Sequence, residues 1–142
     1  MSELNPRTKN TLNILIRHLI SIKETAKNIH YTCKGDNAYS MHLLADRVAE
    51  NIDGYIDACK EAILGSDNYP QFAQEYLKGA ILMMPEIKIG DNKENFKKLY
   101  NLLDACLKYI DIMKLDKSDE SLVTTIGENL KNSKGLVNLQ IS

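Results

Sequence analysis

Residues 66–91, SDNYPQFAQEYLKGAILMMPEIKIGD, set how the helices of this chain must be connected. Pro70 and Pro85, together with Gly79 and Gly90, fence off a short helical piece from about Gln71 to Leu82. Proline stops a helix because it lacks an amide donor and clashes with the preceding turn, and glycine loosens one. A connector of this length inside a compact helical protein usually crosses from one end of the bundle to the other. The helices before and after it need not be antiparallel neighbours.

Upstream of the connector the period is helical. Leu12, Leu15, Leu19, Ile22, Ala26 and Ile29 recur at three- and four-residue steps, laying one apolar stripe along a helix from about Pro6 to Tyr31. Asn5 and Pro6 form a cap and first-turn pair. Lys34-Gly35-Asp36-Asn37 reads as a tight turn in which Gly35 is free to take a positive φ. A second helix follows from about Ala38 to Leu64, with Met41, Ala45, Val48, Ile52, Tyr55, Cys59 and Ile63 as its stripe and Gly65 placed to end it. Gly54 in its middle costs about 1 kcal/mol against alanine and leaves room for another backbone to approach.

Downstream, Phe96, Leu99, Leu103, Cys106, Ile110 and Met113 mark a third helix from about Asn92 to Lys114. A fourth opens at Ser118-Asp119-Glu120, a cap and two acids suited to the positive end of a helix, and continues through Leu122, Ile126, Leu130, Ser133 and Val137. Two helices joined by a tight turn, a long crossover carrying a short helix, and two more helices make an all-α, ferritin-like four-helix bundle. The 142 residues suit one domain, 1–142, with neither a second domain nor a solenoid repeat expected.

Composition narrows the function classes. Lys plus Arg number 18 and Asp plus Glu 19, for a net charge of −1. That balance argues against a strongly electrostatic DNA binder, which needs a basic face to release counterions, although it permits a local basic patch. Cys33, Cys59 and Cys106 are odd in number and widely spaced, with no C-x-x-C pair, and are expected to be reduced thiols. Neither an apolar signal region nor a membrane-length apolar run is present, so a cytoplasmic protein without a membrane partner is expected.

The usual phosphate-binding, dinucleotide-binding, metalloprotease and nucleophile-elbow motifs are missing. No glutamate has a histidine three residues later, so a di-iron site in the middle of the bundle is not expected. What remains lies on the second helix, where His42 and Asp46 are four apart and Asp57 and Glu61 are four apart. At about 100° per residue all four project within roughly one quadrant of the helix, yet Asp46 and Asp57 are separated by about 16 Å along the axis. Metal–ligand bonds are about 2 Å, so one helix cannot close both pairs around one ion. Two copies packed antiparallel across a twofold axis could, and the symmetry would generate two sites. His30, at the end of the first helix, could add a further nitrogen at the His42 end. Imidazole nitrogen with carboxylate oxygens is a non-haem iron ligand set, and zinc or another divalent ion can take the same ligands.

The run from His30-Tyr31 through the Gly35 turn to His42-Leu43-Leu44-Ala45-Asp46, with Asp57-x-x-x-Glu61 and Ala62-Ile63-Leu64-Gly65 downstream, resembles the signature of the Dps-type mini-ferritins. The likeness is specific over about residues 28 to 65 and architectural elsewhere. It implies that His30, His42 and Asp46 of one subunit and Asp57 and Glu61 of its twofold neighbour are the ligands of a ferroxidase centre. It further implies a homo-oligomeric shell of twelve subunits that oxidises Fe(II) with peroxide or oxygen, stores iron and protects against peroxide. The chain departs from that pattern in three places. Tyr31 replaces a tryptophan, Leu43 stands where many relatives carry an acid, and Arg7 and Lys9 are the only early cations of a short arm that offers little grip on DNA.

Each residue also has a plainer reading. A His–Asp pair four apart is usually solvated, Asp57 and Glu61 alone would be an acidic surface, and Lys97-Lys98 is a solvated face. His18 faces away from the stripe and is expected at the surface. Cys33 is expected as a buried or turn thiol, and Met83-Met84 with Tyr69 to Tyr76 as packing of the crossover or a subunit contact. The rival reading of the whole is a non-catalytic ferritin-like shell or a DNA-coating structural protein; a third is a helical module that forms no shell.

Overall fold

The computed structural model describes residues 6–142, with side chains from residue 11 onward. It comprises α1 (Pro6–Thr32), α2 (Ala38–Glu50), α3 (Ile52–Leu64), α4 (Ala73–Met83), α5 (Asn92–Ile112) and α6 (Lys117–Ile141). No strand occurs among the described residues. Asn5 and the side chains of Arg7 and Lys9 lie outside them.

The stripe of α1 forms the spine of the core, with Leu12, Leu15, Leu19, Ile22, Ala26 and Ile29 all fully buried. Burying one such aliphatic side chain contributes about 1.5–3 kcal/mol. Against it pack Met41, Ala45, Val48, Ile52, Cys59 and Ile63 of α2 and α3, and Phe96, Leu99, Leu103 and Cys106 of α5. Val123, Ile126, Leu130 and Val137 of α6 close the core. The α1 helix borders α2, α3, α4 and α5, while α6 borders α5, α2 and α3.

Chain direction follows from contacts at the helix ends. Tyr109 Oη, late in α5, donates to Thr11 O at the start of α1 (3.1 Å), whereas Asn92 at the start of α5 bonds Lys34 just past the end of α1. The α5 helix is therefore antiparallel to α1. Because α2 and α3 also return along α1 after a short turn, α5 runs parallel to them, as a long crossover requires. That crossover climbs α1: Tyr76 Oη donates to Asn13 Oδ1 (2.6 Å), Arg17 Nη2 donates to Gln71 Oε1 (2.9 Å), and Gly90 N donates to Thr32 O (3.0 Å). The missing side chain of Gly79 leaves the space in which Arg17 lies.

Several local expectations change. The second helix is interrupted at Asn51 (φ −97°, ψ 0°), where a turn separates α2 from α3. Beyond that turn Ile56, not Tyr55, is buried. Both lie one helical step from Ile52, and the aliphatic side chain goes inside while the phenol stays half-exposed within reach of water. Gly54 faces open space within the chain, with no backbone nearby. Asp116 holds the N-cap position of α6 with no side-chain cap hydrogen bond, and Ser118 lies inside the first turn. Gly35 takes the expected positive φ of 78° in the α1–α2 turn. All three cysteines are free, and burial pushes the Cys59 and Cys106 thiols up to about 12, which keeps them protonated at neutral pH. His18 is half-buried and stacked on Tyr109 with centroids 5.1 Å apart, a correction to its expected surface position. Burial lowers its pKa and favours the neutral imidazole. Tyr76 is buried as crossover packing, while Tyr69 is exposed. Lys97 pairs with Glu94 at 3.0 Å on an exposed face.

Candidate metal centre

The α1–α2 turn brings His30, in the last turn of α1, against His42, in the second turn of α2. Their imidazoles stack with centroids 3.7 Å apart and planes 17° from parallel. His30 Nδ1 lies 2.9 Å from His42 O, and His42 Nδ1 lies 2.6 Å from His30 O. A carbonyl oxygen can only accept, so both Nδ1 atoms must carry the proton. Whenever a ring is neutral, this bond holds it in the tautomer whose Nε2 lone pair is free. A metal-ligating histidine is usually prepared in this way, with one nitrogen tied to a carbonyl and the other left basic.

Asp46, one turn beyond His42 on α2, approaches the same place. Its carboxyl is held below the ordinary carboxylate range first by the Lys27 ammonium, which donates to Oδ1 at 2.9 Å, and more weakly by His30 and His42. Lys27 is the residue that sequence reasoning missed. It lies three residues before His30 and so shares a face of α1 with it, a spacing legible in the sequence. Tyr31 is exposed and meets the His30 ring edge-on at 4.9 Å. Leu43 is exposed at the mouth of a shallow groove with Leu44, Arg47, Leu136, Leu139 and Gln140, and it supplies no ligand atom.

Asp57 and Glu61 lie on the exposed face of α3, beyond the Asn51 turn, and their carboxylates have no ion pair or hydrogen bond among those described. Among the described residues of one chain, no three imidazole, thiol or carboxylate groups converge to hold a metal ion. A single chain thus brings His30 against His42, ties Asp46, one turn further along α2, to Lys27, and leaves Asp57 and Glu61 facing outward. The donor chemistry of the first three fits a borderline divalent ion such as Fe(II), with two imidazole nitrogens and one carboxylate.

No protein-family model and no curated protein matches the sequence. Solved structures do match. The chain superposes on Dps from Thermosynechococcus elongatus with a TM-score of 0.86 at 15% identity, covering 95% of this chain and 90% of that one. It matches a tetragonal form of Mycobacterium smegmatis Dps with a TM-score of 0.84 at 17% identity over 94% and 85% of the two chains. A third match is Vibrio cholerae Dps, described as a member of a broad superfamily of ferritin-like diiron-carboxylate proteins, with a TM-score of 0.69 at 17% identity over 95% and 89%. The fold is the ferritin-like four-helix bundle. Within that class it is the Dps-type mini-ferritin fold.

Proposed function

We propose that the protein is a Dps-like iron-binding ferroxidase and iron-storage protein whose catalytic site is shared between two subunits. His30, His42 and Asp46 of one protomer and Asp57 and Glu61 of its twofold partner would hold Fe(II). The observation that carries this reading is the reciprocal His30–His42 lock, which ties both Nδ1 atoms to carbonyls and leaves the Nε2 of each ring as its ligating nitrogen, one helical turn from Asp46. The exposed, unpaired acids on α3 are the complementary half that a second copy would supply. The metal is the substrate and the redox centre; the side chains bind it, and none is needed as a nucleophile. Two Fe(II) ions would each give up one electron, and one hydrogen peroxide would take both electrons and two protons from solvent to leave as two waters and not as a hydroxyl radical. The ferric product would collect inside a closed shell, of twelve subunits if the assembly follows the resemblance.

The test is anaerobic Fe(II) titration of metal-free protein followed by a peroxide pulse, read as ferric absorbance. Saturable binding and a fast rise in the wild type, lost in Asp57→Ala with the fold retained, are expected. Unchanged kinetics in Asp57→Ala would remove that residue from the site. No rise above the protein-free control would favour the rival reading, a non-catalytic or DNA-coating shell. One observation favours that rival: Lys27 already neutralises Asp46 in the free chain. No described helix is long and apolar enough to cross a membrane.

A further inference from the structure

The turn that brings His30 to His42 is held from outside by the end of the crossover. Asn92, at the first position of α5, is 9% exposed, unusual for an amide at a helix start. Its Nδ2 donates to Lys34 O at 2.6 Å, and its Oδ1 accepts from Lys34 N at 3.1 Å. One side-chain amide thus satisfies both polar groups of a backbone residue 58 positions away. Two residues earlier, Gly90 N donates to Thr32 O at 3.0 Å. Gly90 has a φ of 85°, and a Cβ there would lie 3.9 Å from Lys34 Cβ, so the crossover passes close alongside the turn. Residues 32 and 34, between the two histidines, are therefore bonded to residues 90 and 92 by three hydrogen bonds.

We infer that Asn92 is a positioning residue for the metal site: by clamping Lys34 it fixes the α1–α2 turn and hence the relative placement of the His30 and His42 rings. The inference rests on the proposed metal site and extends it. The rings depend on the turn in a direct way. Each Nδ1–H is aimed at the other residue's carbonyl, so a shift of either helix end along its axis breaks both bonds together. The other described side-chain bond to the turn backbone, from Ser40 Oγ to Asn37 O at 3.0 Å, is local to the start of α2 and reaches neither α1 nor the crossover. Neighbours that orient metal ligands typically change metal affinity by about 10–100-fold when removed, without touching the ion.

Asn95 supplies a matched control. Its amide pairs with Lys88 in the same two-bond manner, donating to Lys88 O at 2.7 Å and accepting from Lys88 N at 3.2 Å. That clamp ties the crossover to α5 without touching the turn. The experiment compares assembled wild type, Asn92→Ala and Asn95→Ala for Co(II) affinity by absorption titration, for thermal stability, and for the two hydrogen-bonded Nδ1–H resonances in a spectrum of 15N-histidine-labelled protein. Both variants should melt a few degrees lower. Asn92→Ala alone should weaken Co(II) binding by about tenfold and broaden or shift the Nδ1–H signals. Equal Co(II) affinity in wild type and Asn92→Ala overturns the positioning role and leaves the metal site standing. Equal weakening in both variants reduces Asn92 to a general stability role. Absence of saturable Co(II) binding by the wild type overturns the site, and this inference with it.

Discussion

The rings of His30 and His42 lie 3.7 Å apart, and each residue's Nδ1–H is bonded to the other's backbone carbonyl. The pair joins the end of one helix to the start of the next and ties both Nδ1 atoms to the backbone, leaving each Nε2 as the remaining ring nitrogen. Structure and proposed chemistry meet in this contact, because the bonds that close the turn also prepare the ligands.

His42→Ala should therefore lose twice. The bond from His42 Nδ1 to His30 O and the ring stack disappear, while the Nδ1–H of His30 keeps the backbone carbonyl of residue 42 without its stacking partner. A stability loss of about 1 kcal/mol is expected for one net hydrogen bond, measured by denaturant unfolding. Co(II) or Fe(II) affinity should fall far more than that energy implies, since a ligand is removed. A variant as unstable as expected but with full metal affinity would contradict the role of His42.

Lys27 opposes the site. Its ammonium donates to Asp46 Oδ1 at 2.9 Å, so a metal ion must compete with it for that oxygen. Lys27→Met keeps the length of the side chain and removes the charge. Divalent metal binding should tighten severalfold in calorimetric titration with Co(II). Unchanged affinity would mean that the pair opens freely and that Lys27 does not compete. The contact is solvent-exposed, so its own contribution to stability is small and screened by salt. The lowered Asp46 pKa gives the sign: whatever the pair contributes is present above the ordinary Asp value and is lost as pH falls through the lower folded value.

Asp119 behaves in the opposite sense. It is 7% exposed, and its Oδ2 has no hydrogen-bond partner. Burial, and secondarily the charge of Asp116, raises its pKa above 3.8. A carboxyl raised on folding stabilises the native state fully below its unfolded pKa, and that contribution is lost as pH rises through the folded value. Asp119→Asn should therefore raise the melting temperature at pH 7, and the gain should vanish near pH 3. The positive end of α6 offsets part of the penalty, because it favours a negative charge in the first turn. A lower melting temperature at pH 7 would mean that this helix-end term outweighs burial.

The bundle was legible in the sequence because its signal is repeated. Six α1 positions agree on one stripe, and two prolines with two glycines delimit the crossover independently of it. Single-residue events were not. The break at Asn51 carries no proline or glycine, and either Tyr55 or Ile56 satisfies the helical period after Ile52. His18 looked exposed because its neighbour Tyr109 is 91 residues away, and only the antiparallel packing of α1 against α5 joins them. The candidate ligands were legible as residue types at set spacings. The lock between His30 and His42 was not, since it depends on where two helix ends meet, and that place is set partly by Asn92. The likeness of Asp57 and Glu61 to half a site also cannot be completed by one chain, whose α3 leaves both exposed.

The central claim, that two subunits share one site, is tested most directly by mixing two inactive variants. His42→Ala removes the nitrogen half and Asp57→Ala the carboxylate half, and each alone should lack fast peroxide-driven Fe(II) oxidation. Co-assembled in equal amounts, about half of the twofold interfaces pair unlike subunits, and each such interface holds one intact site and one doubly damaged site. The account predicts recovery of about a quarter of the wild-type oxidation rate in the mixed assembly. A mixture as inactive as its components would contradict it, because a site built within one chain cannot be repaired by a neighbour.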